Sequence, residues 1–254
     1  MTFAPLLRAF AAAAALLAVA ALPAGEAPAR PAPETSSRTE RRPADFRLTP
    51  DPTLPNVLLL GDSISIGYTR TVRQLLAGKA NVFRPVNTNG TAENCSDTGY
   101  GLANLDRWLA LQPKWQVIHF NWGLHDLKHM QAGKPSSDPA APALRSVEDY
   151  RANLEKIVAR LQRTGARLIF ATTTPVPVGA NQPFRQPEAP PRYNATAVAV
   201  MQTAGVRVND LFAFAASELS RWQQPRNVHF TEAGSEQLAR QVAAAITAEL
   251  ARRP

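Results

Sequence analysis

Asn56-Val57-Leu58-Leu59-Leu60-Gly61-Asp62-Ser63-Ile64-Ser65 carries an apolar, strand-length run straight into Gly-Asp-Ser. The run predicts a buried β-strand, and the Gly-Asp pair predicts a turn at its end. The Ser63 hydroxyl then sits at the C-terminal edge of a strand, which is where open α/β sheets bind ligands. Taken alone, Ser63 reads as a turn or cap residue. It becomes a candidate nucleophile if a base reaches it, and His229 in Asn227-Val228-His229-Phe230-Thr231 is the candidate base.

Working outward, strands and helices alternate. Asn56–Leu60 is followed by an amphipathic helix over Thr69–Leu76, a strand over Asn81–Val86 and a helix over Gly101–Leu111 with Leu102, Leu105, Trp108 and Leu109 on one face. Gln116–Asn121 is a third strand. Ser146–Arg163 is a long helix with Ser146 as its cap and Glu148 and Asp149 in its first turn. Arg167–Thr173 is the fourth strand, Pro190–Ala204 a helix, Val206–Val208 a short strand, Asp210–Trp222 a helix and Thr231–Leu250 the last helix, capped by Thr231. This order predicts an α/β fold with a parallel sheet of about five strands between two helical layers. The Pro- and Gly-containing segments Gln131–Arg145 and Pro175–Pro187 are expected to wall a cleft at the sheet edge.

The 254 residues allow one sizeable domain with tails, and the 45% apolar content is ample for a core. Residues 1–24 read as a secretory signal, with Arg8 before the apolar run Phe10–Leu22. That run is short for a membrane span. Export to the periplasm or medium is therefore expected, with no stable membrane insertion once the signal is cleaved. Residues 25–55 hold seven prolines among polar residues and read as a disordered linker, which starts the folded domain, 56–254, near Asn56. The formal charge of +8 comes without a Lys/Arg run interleaved with aromatics. That argues against nucleic acid and leaves a polyanionic substrate open. One cysteine, Cys95, excludes an intramolecular disulfide.

Three segments converge on the edge that Ser63 occupies: Gly90–Gly99, Gly123-Leu124-His125-Asp126 and the His229 loop. With these residues the chain resembles the SGNH (GDSL-type) hydrolases, esterases and lipases of flavodoxin-like fold, over roughly Asn56 to Leu250. Gly61-Asp62-Ser63-Ile64 matches the block that holds the family's nucleophile. Gly123-Leu124-His125-Asp126 matches the block usually written Gly-x-Asn-Asp, and Arg226-Asn227-Val228-His229 the block usually written Asp-x-x-His. The resemblance implies a three-layer α/β/α sandwich, Ser63 as nucleophile, His229 as base and no cofactor or metal. Its oxyanion donors would be the Ser63 N–H, a backbone N–H at Cys95 or Ser96, and His125 in place of the family's Asn. Arg226 stands where the family has its orienting acid. His229 then works as a dyad, oriented by a backbone carbonyl or by Asn227, or takes an acid from elsewhere.

Other residues carry lesser roles. Asp62 is expected to bind backbone amides near Ser63. Asn94 can turn its amide to the oxyanion, and Asn121 either lines the site or fixes its turn. Asp126 holds its own turn, His119 is a buried strand histidine, and Cys95 is structural. His125 and His129 have a metal-chelating spacing but lack a third ligand. The expected activity is an exported serine esterase acting on small acyl groups, acetyl first, carried by a small molecule or carbohydrate. Two other functions use the same residues: a glycan or cell-wall binding protein with weak or no catalysis, and an O-acyltransferase.

Overall fold

The computed structural model describes residues 1–2 and 45–252. The expected signal segment from residue 3 onward, and the linker up to residue 44, lie outside the described residues. Strands β1 (Asn56–Leu60), β2 (Asn81–Phe83), β3 (Val117–Phe120), β6 (Arg167–Ala171) and β7 (Arg207–Asn209) form one parallel sheet in the order β2-β1-β3-β6-β7. The chain starts in the middle and runs to one edge, then crosses back and continues to the other. The reversal lies between β1 and β3, whose registers pair Val57 with Val117 and Leu60 with Phe120. A crevice opens there at the carboxyl ends of the strands.

Right-handed crossovers put α1 (Ser63–Leu75) on one face and α2 (Thr98–Leu109), α3 (Val147–Gln162) and α4 (Ala189–Thr203) on the other. The last helix, α7 (Glu232–Leu250), packs beside α1 and over β3, β6 and β7. Both faces of the sheet are thereby covered, which is why Val57–Leu60 and Val117–Phe120 are buried without polar alternation. Capping follows the sequence. The hydroxyl of Ser146 accepts from Asp149 N at 3.0 Å and that of Thr231 from Gly234 N at 3.1 Å.

Several boundaries move. Helix α1 begins at Ser63 rather than Thr69, because Asp62 caps it and the Gly61 turn leads directly into it. The expected helix over Asp210–Trp222 is two pieces, α5 (Leu211–Ala216) and α6 (Leu219–Trp222). At the start of Gln131–Arg145, and reaching back to Met130, lies a small hairpin, β4 (Met130–Gln131) with β5 (Lys134–Pro135). The folded body also starts before Asn56: Phe46 is buried, its N–H donates to Gly90 O at 2.8 Å, and Asp51 N–H donates to Asn81 Oδ1 at 2.9 Å.

Candidate active site

Strand β1 delivers Ser63 to the crevice through a turn with no room for a side chain at Gly61. A Cβ there would stand 3.0 Å from both Cβ and Oγ of Ser65. Asp62 Oδ1 accepts the Ile64 N–H at 2.9 Å, leaving Ser63 as the first residue of α1. First-turn N–H groups of a helix lack intrahelical partners. That of Ser63 has no protein acceptor among the described residues, so it is free to face an anion. Beneath the turn the buried guanidinium of Arg84 donates to Thr69 Oγ1 at 2.7 Å, to Glu93 O at 2.9 Å and, more weakly, to Ser65 Oγ at 3.3 Å and Gly61 O at 3.4 Å. Arg84 thus braces the turn from inside the core. Its place at the end of an otherwise apolar strand was the sequence signal for it.

His229 arrives from a hairpin loop closed by the Gln223–Phe230 bridge and by Gln224 N–H donating to His229 O at 2.9 Å. Its Nε2 lies 2.9 Å from Ser63 Oγ, and its Nδ1 lies 2.8 Å from Asn227 Oδ1. The tautomer follows from the neighbours. The backbone N–H of His229 also meets Asn227 Oδ1, at 3.0 Å, and an N–H can only donate. The atom facing the ring is therefore the amide oxygen, so Nδ1 carries the proton and Nε2 turns its lone pair to the Ser63 hydroxyl. Asn227 Nδ2 donates to Gln224 Oε1 at 3.2 Å, which fixes the same orientation. A neutral amide two residues before the histidine occupies the orienting position, while Arg226 points its stem elsewhere, against Gly179.

His125 follows β3, after a glycine whose φ of 145° and lack of a side chain admit Thr173 Oγ1 to 2.1 Å of where a Cβ would lie. Burial holds the His125 ring below its ordinary pKa, with the Lys128 and Arg185 charges acting the same way and Asp62 opposing. Lys128 Nζ stands 3.3 Å from His125 Nδ1. An ammonium can only donate, so the neutral ring keeps its proton on Nε2, available as a donor.

The oxyanion donors expected at Cys95 and Ser96 are already engaged. The Cys95 N–H donates to Gly61 O at 3.2 Å, and the Ser96 N–H donates to Asn94 Oδ1 at 2.9 Å. The loop has wrapped its amides inward, and Cys95 is fully buried with its carbonyl accepting from Trp122 Nε1 at 3.1 Å. Because Ser96 N–H pins the amide oxygen of Asn94, Asn94 Nδ2 is the free end, without a protein acceptor among the described residues. Ser63, Asn94, His125, Arg185, Arg226 and His229 all line one cleft of about 820 Å³, together with the loop around Gly179–Pro183.

Of the two loops expected as walls, Pro175–Pro187 lines the cleft and Gln131–Arg145 does not. The second, with His129 just before it, holds the first: Phe184 N–H donates to Ser136 O at 2.8 Å and His129 N–H donates to Phe184 O at 2.9 Å. The His129 ring packs edge-on against Phe184 at 4.7 Å between centroids. Asn121 ties β3 to β6, its Nδ2 donating to Ala171 O at 2.7 Å. Asp126 is buried, accepts from Thr98 N–H at 2.9 Å and has its pKa pushed up to about 7 by burial. His119 lies in the core with Nε2 facing Asn209 Nδ2 at 3.3 Å. Among the described residues no group of three or more His, Cys, Asp and Glu is placed to hold a metal, and no helix is long and apolar enough to cross a membrane.

Comparison with known proteins places this geometry. No curated protein sequence matches the chain. The chain is similar in structure to a lipase/acylhydrolase from Enterococcus faecalis, with a TM-score of 0.62 and 19% identity over 79% of this chain and 99% of that one. It is similar to the acetyl xylan esterase AlAXEase, with a TM-score of 0.59 and 12% identity over 75% and 99% of the two chains. It is also similar to Axe2, an acetylxylan esterase from Geobacillus stearothermophilus, with a TM-score of 0.58 and 16% identity over 78% and 95%. At these identities the likeness establishes the fold. The family model described as GDSL-like Lipase/Acylhydrolase matches residues 59–237, from the strand before Ser63 to beyond His229. The chain belongs to the GDSL-like lipase/acylhydrolase family and is, with it, an ester-bond hydrolase.

Proposed function

We propose that the protein is an exported serine esterase that removes small acyl groups, acetyl first, from a carbohydrate. The observation that carries the chemistry is the 2.9 Å contact between Ser63 Oγ and the unprotonated Nε2 of His229. Nε2 takes the hydroxyl proton as Ser63 Oγ attacks the ester carbonyl. The tetrahedral oxyanion is met by the Ser63 N–H, the Asn94 amide and His125 Nε2–H. The imidazolium then returns its proton to the leaving alcohol, and water, activated by the same nitrogen, releases the acid. The polar cleft lining and the two acetylxylan-acting neighbours favour a short acyl group on a sugar over a fatty acyl chain. The apolar run at Phe10–Leu22 behind Arg8 supports export.

Hydrolysis of p-nitrophenyl acetate by wild type, Ser63→Ala and His229→Ala tests this reading. The expected result is turnover by wild type and loss in both variants by at least about 10³-fold. Equal rates in all three remove it.

A further inference from the structure

We propose that the alcohol part of the substrate carries an anionic group, a carboxylate or a sulfate, gripped by Arg185 and Arg226 beside the Ser63–His229 pair. This rests on the esterase reading and names the substrate class of the same cleft. Among the described residues the cleft lining contains these two arginines and no Asp or Glu. Other arginines meet a carboxylate of this chain, among them Arg107 with Glu93, Arg145 with Asp97 and Arg207 with Glu249. Neither cleft arginine has a salt bridge among the described residues.

Arg185 is the stronger observation. It is only 6% exposed, yet it lines the cleft. Its Nε donates to Leu124 O at 2.8 Å and its Nη1 reaches Pro183 O at 3.4 Å, while Nη2 has no protein acceptor among the described residues. Burial disfavours its charged form, and the carboxylate of Asp62 offsets part of that cost. A guanidinium removed from water without a salt-bridged partner is costly, and an incoming anion relieves the cost. The planar fork matches a carboxylate or sulfate with two parallel hydrogen bonds.

Arg226 supplies the second cation from the other wall. Its φ of 53° lies in the left-handed region that side chains avoid. Its stem is packed against Gly179, where a Cβ would come within 2.9 Å of Arg226 Cγ. Arg226 thus lines the same cleft as Ser63 and His229. Arg185 is attached beside His125 through Leu124 O, and Arg226 lies three residues before His229. Both arginines line the cleft that holds Ser63 and His229.

The test is inhibition of p-nitrophenyl acetate hydrolysis, at low ionic strength, by ester-free oligosaccharides of equal length: an oligogalacturonate, a sulfated oligosaccharide and a neutral xylo-oligosaccharide. The expected result is inhibition by an anionic oligosaccharide at least about tenfold stronger than by the neutral one, the size of one charge-assisted hydrogen bond. Arg226→Gln should cut that ratio by about tenfold. The exposed Arg226 keeps the test informative if Arg185→Gln disturbs the loop that Arg185 ties to Leu124. Preference for the uronate names a carboxylate, and preference for the sulfated sugar names a sulfate. Equal inhibition by all three, or an anion preference untouched in Arg226→Gln, overturns the proposal. Ser63-dependent turnover of p-nitrophenyl acetate stands apart from this outcome. Its absence would sink the esterase reading, whereas its presence without anion preference sinks this proposal alone.

Discussion

Asn227 Oδ1 accepts two hydrogen bonds from His229, one from the backbone N–H at 3.0 Å and one from ring Nδ1 at 2.8 Å. The first identifies the amide oxygen, and the second therefore fixes the ring proton. A serine hydrolase whose orienting aspartate is replaced by an asparagine commonly loses the right tautomer. Here the asparagine selects it. What the amide cannot provide is a full negative charge for the imidazolium that the proposed attack would form.

Asn227→Ala is accordingly expected to lower kcat by about ten- to a hundredfold, less than the roughly 10⁴-fold lost with a triad carboxylate. Asn227→Asp adds that charge and should raise kcat. It should also move the acid limb of kcat/KM to higher pH, because a carboxylate favours the protonated ring. Steady-state kinetics across pH 5 to 9 checks both. An unchanged rate in Asn227→Ala would mean the ring is oriented by something else.

Lys128 sets the His125 tautomer as Asn227 sets that of His229. Removing a single oxyanion donor costs about 10²- to 10³-fold in kcat, and His125→Ala should show a loss of that size. Lys128→Met frees Nδ1 to carry the proton and should lower kcat by about tenfold with little change in KM. A loss confined to KM would assign Lys128 to substrate binding instead.

Cys95 is fully buried, and burial pushes its thiol up to about 12. The native protein should resist a disulfide-exchange reagent at pH 8 with no loss of activity, and should release one thiol equivalent once unfolded in guanidinium. Rapid native labelling coupled to inactivation would contradict the buried placement.

The alternation of apolar strands with amphipathic helices made the sheet legible, and Gly-Asp-Ser at the end of β1 made its functional edge legible. The three blocks around Ser63, His125 and His229 were readable because each follows a strand or precedes a helix with a clear cap. The start of α1 was not, because the polar face of Ser63–Tyr68 hides a helix that only the Asp62 cap reveals. The engaged N–H groups of Cys95 and Ser96 were not legible either. An Asx-type bond from Ser96 to Asn94 and a long-range bond from Cys95 to Gly61 depend on the folded loop. Lys128 and Arg185 escaped notice for a shared reason: each acts through a partner brought near by folding or by a helical turn, with no motif to announce it.

His119 gives the fold a pH signature. Burial depresses its pKa from 6.5 to about 3. The unfolded chain takes up this proton below pH 6.5 and the folded chain does not, so the contribution is complete above pH 6.5 and is lost as the pH falls toward 3. Between pH 6.5 and 5 the wild type should lose about 2 kcal/mol more than His119→Gln, read from urea midpoints. Asp126, raised from 3.8 to about 7, acts in the opposite sense, its contribution being complete below pH 3.8 and lost as the pH rises toward 7. It is present in both proteins and cancels in the difference. Parallel pH dependences in the two proteins would refute the assignment.

Covalent labelling reads whether Ser63 is a nucleophile activated by His229. Intact-mass and peptide analysis after treatment with a fluorophosphonate should find one adduct per chain, on Ser63, forming at least about 10²-fold more slowly in His229→Ala. No adduct, an adduct on another residue, or equal labelling rates with and without His229 would contradict the account.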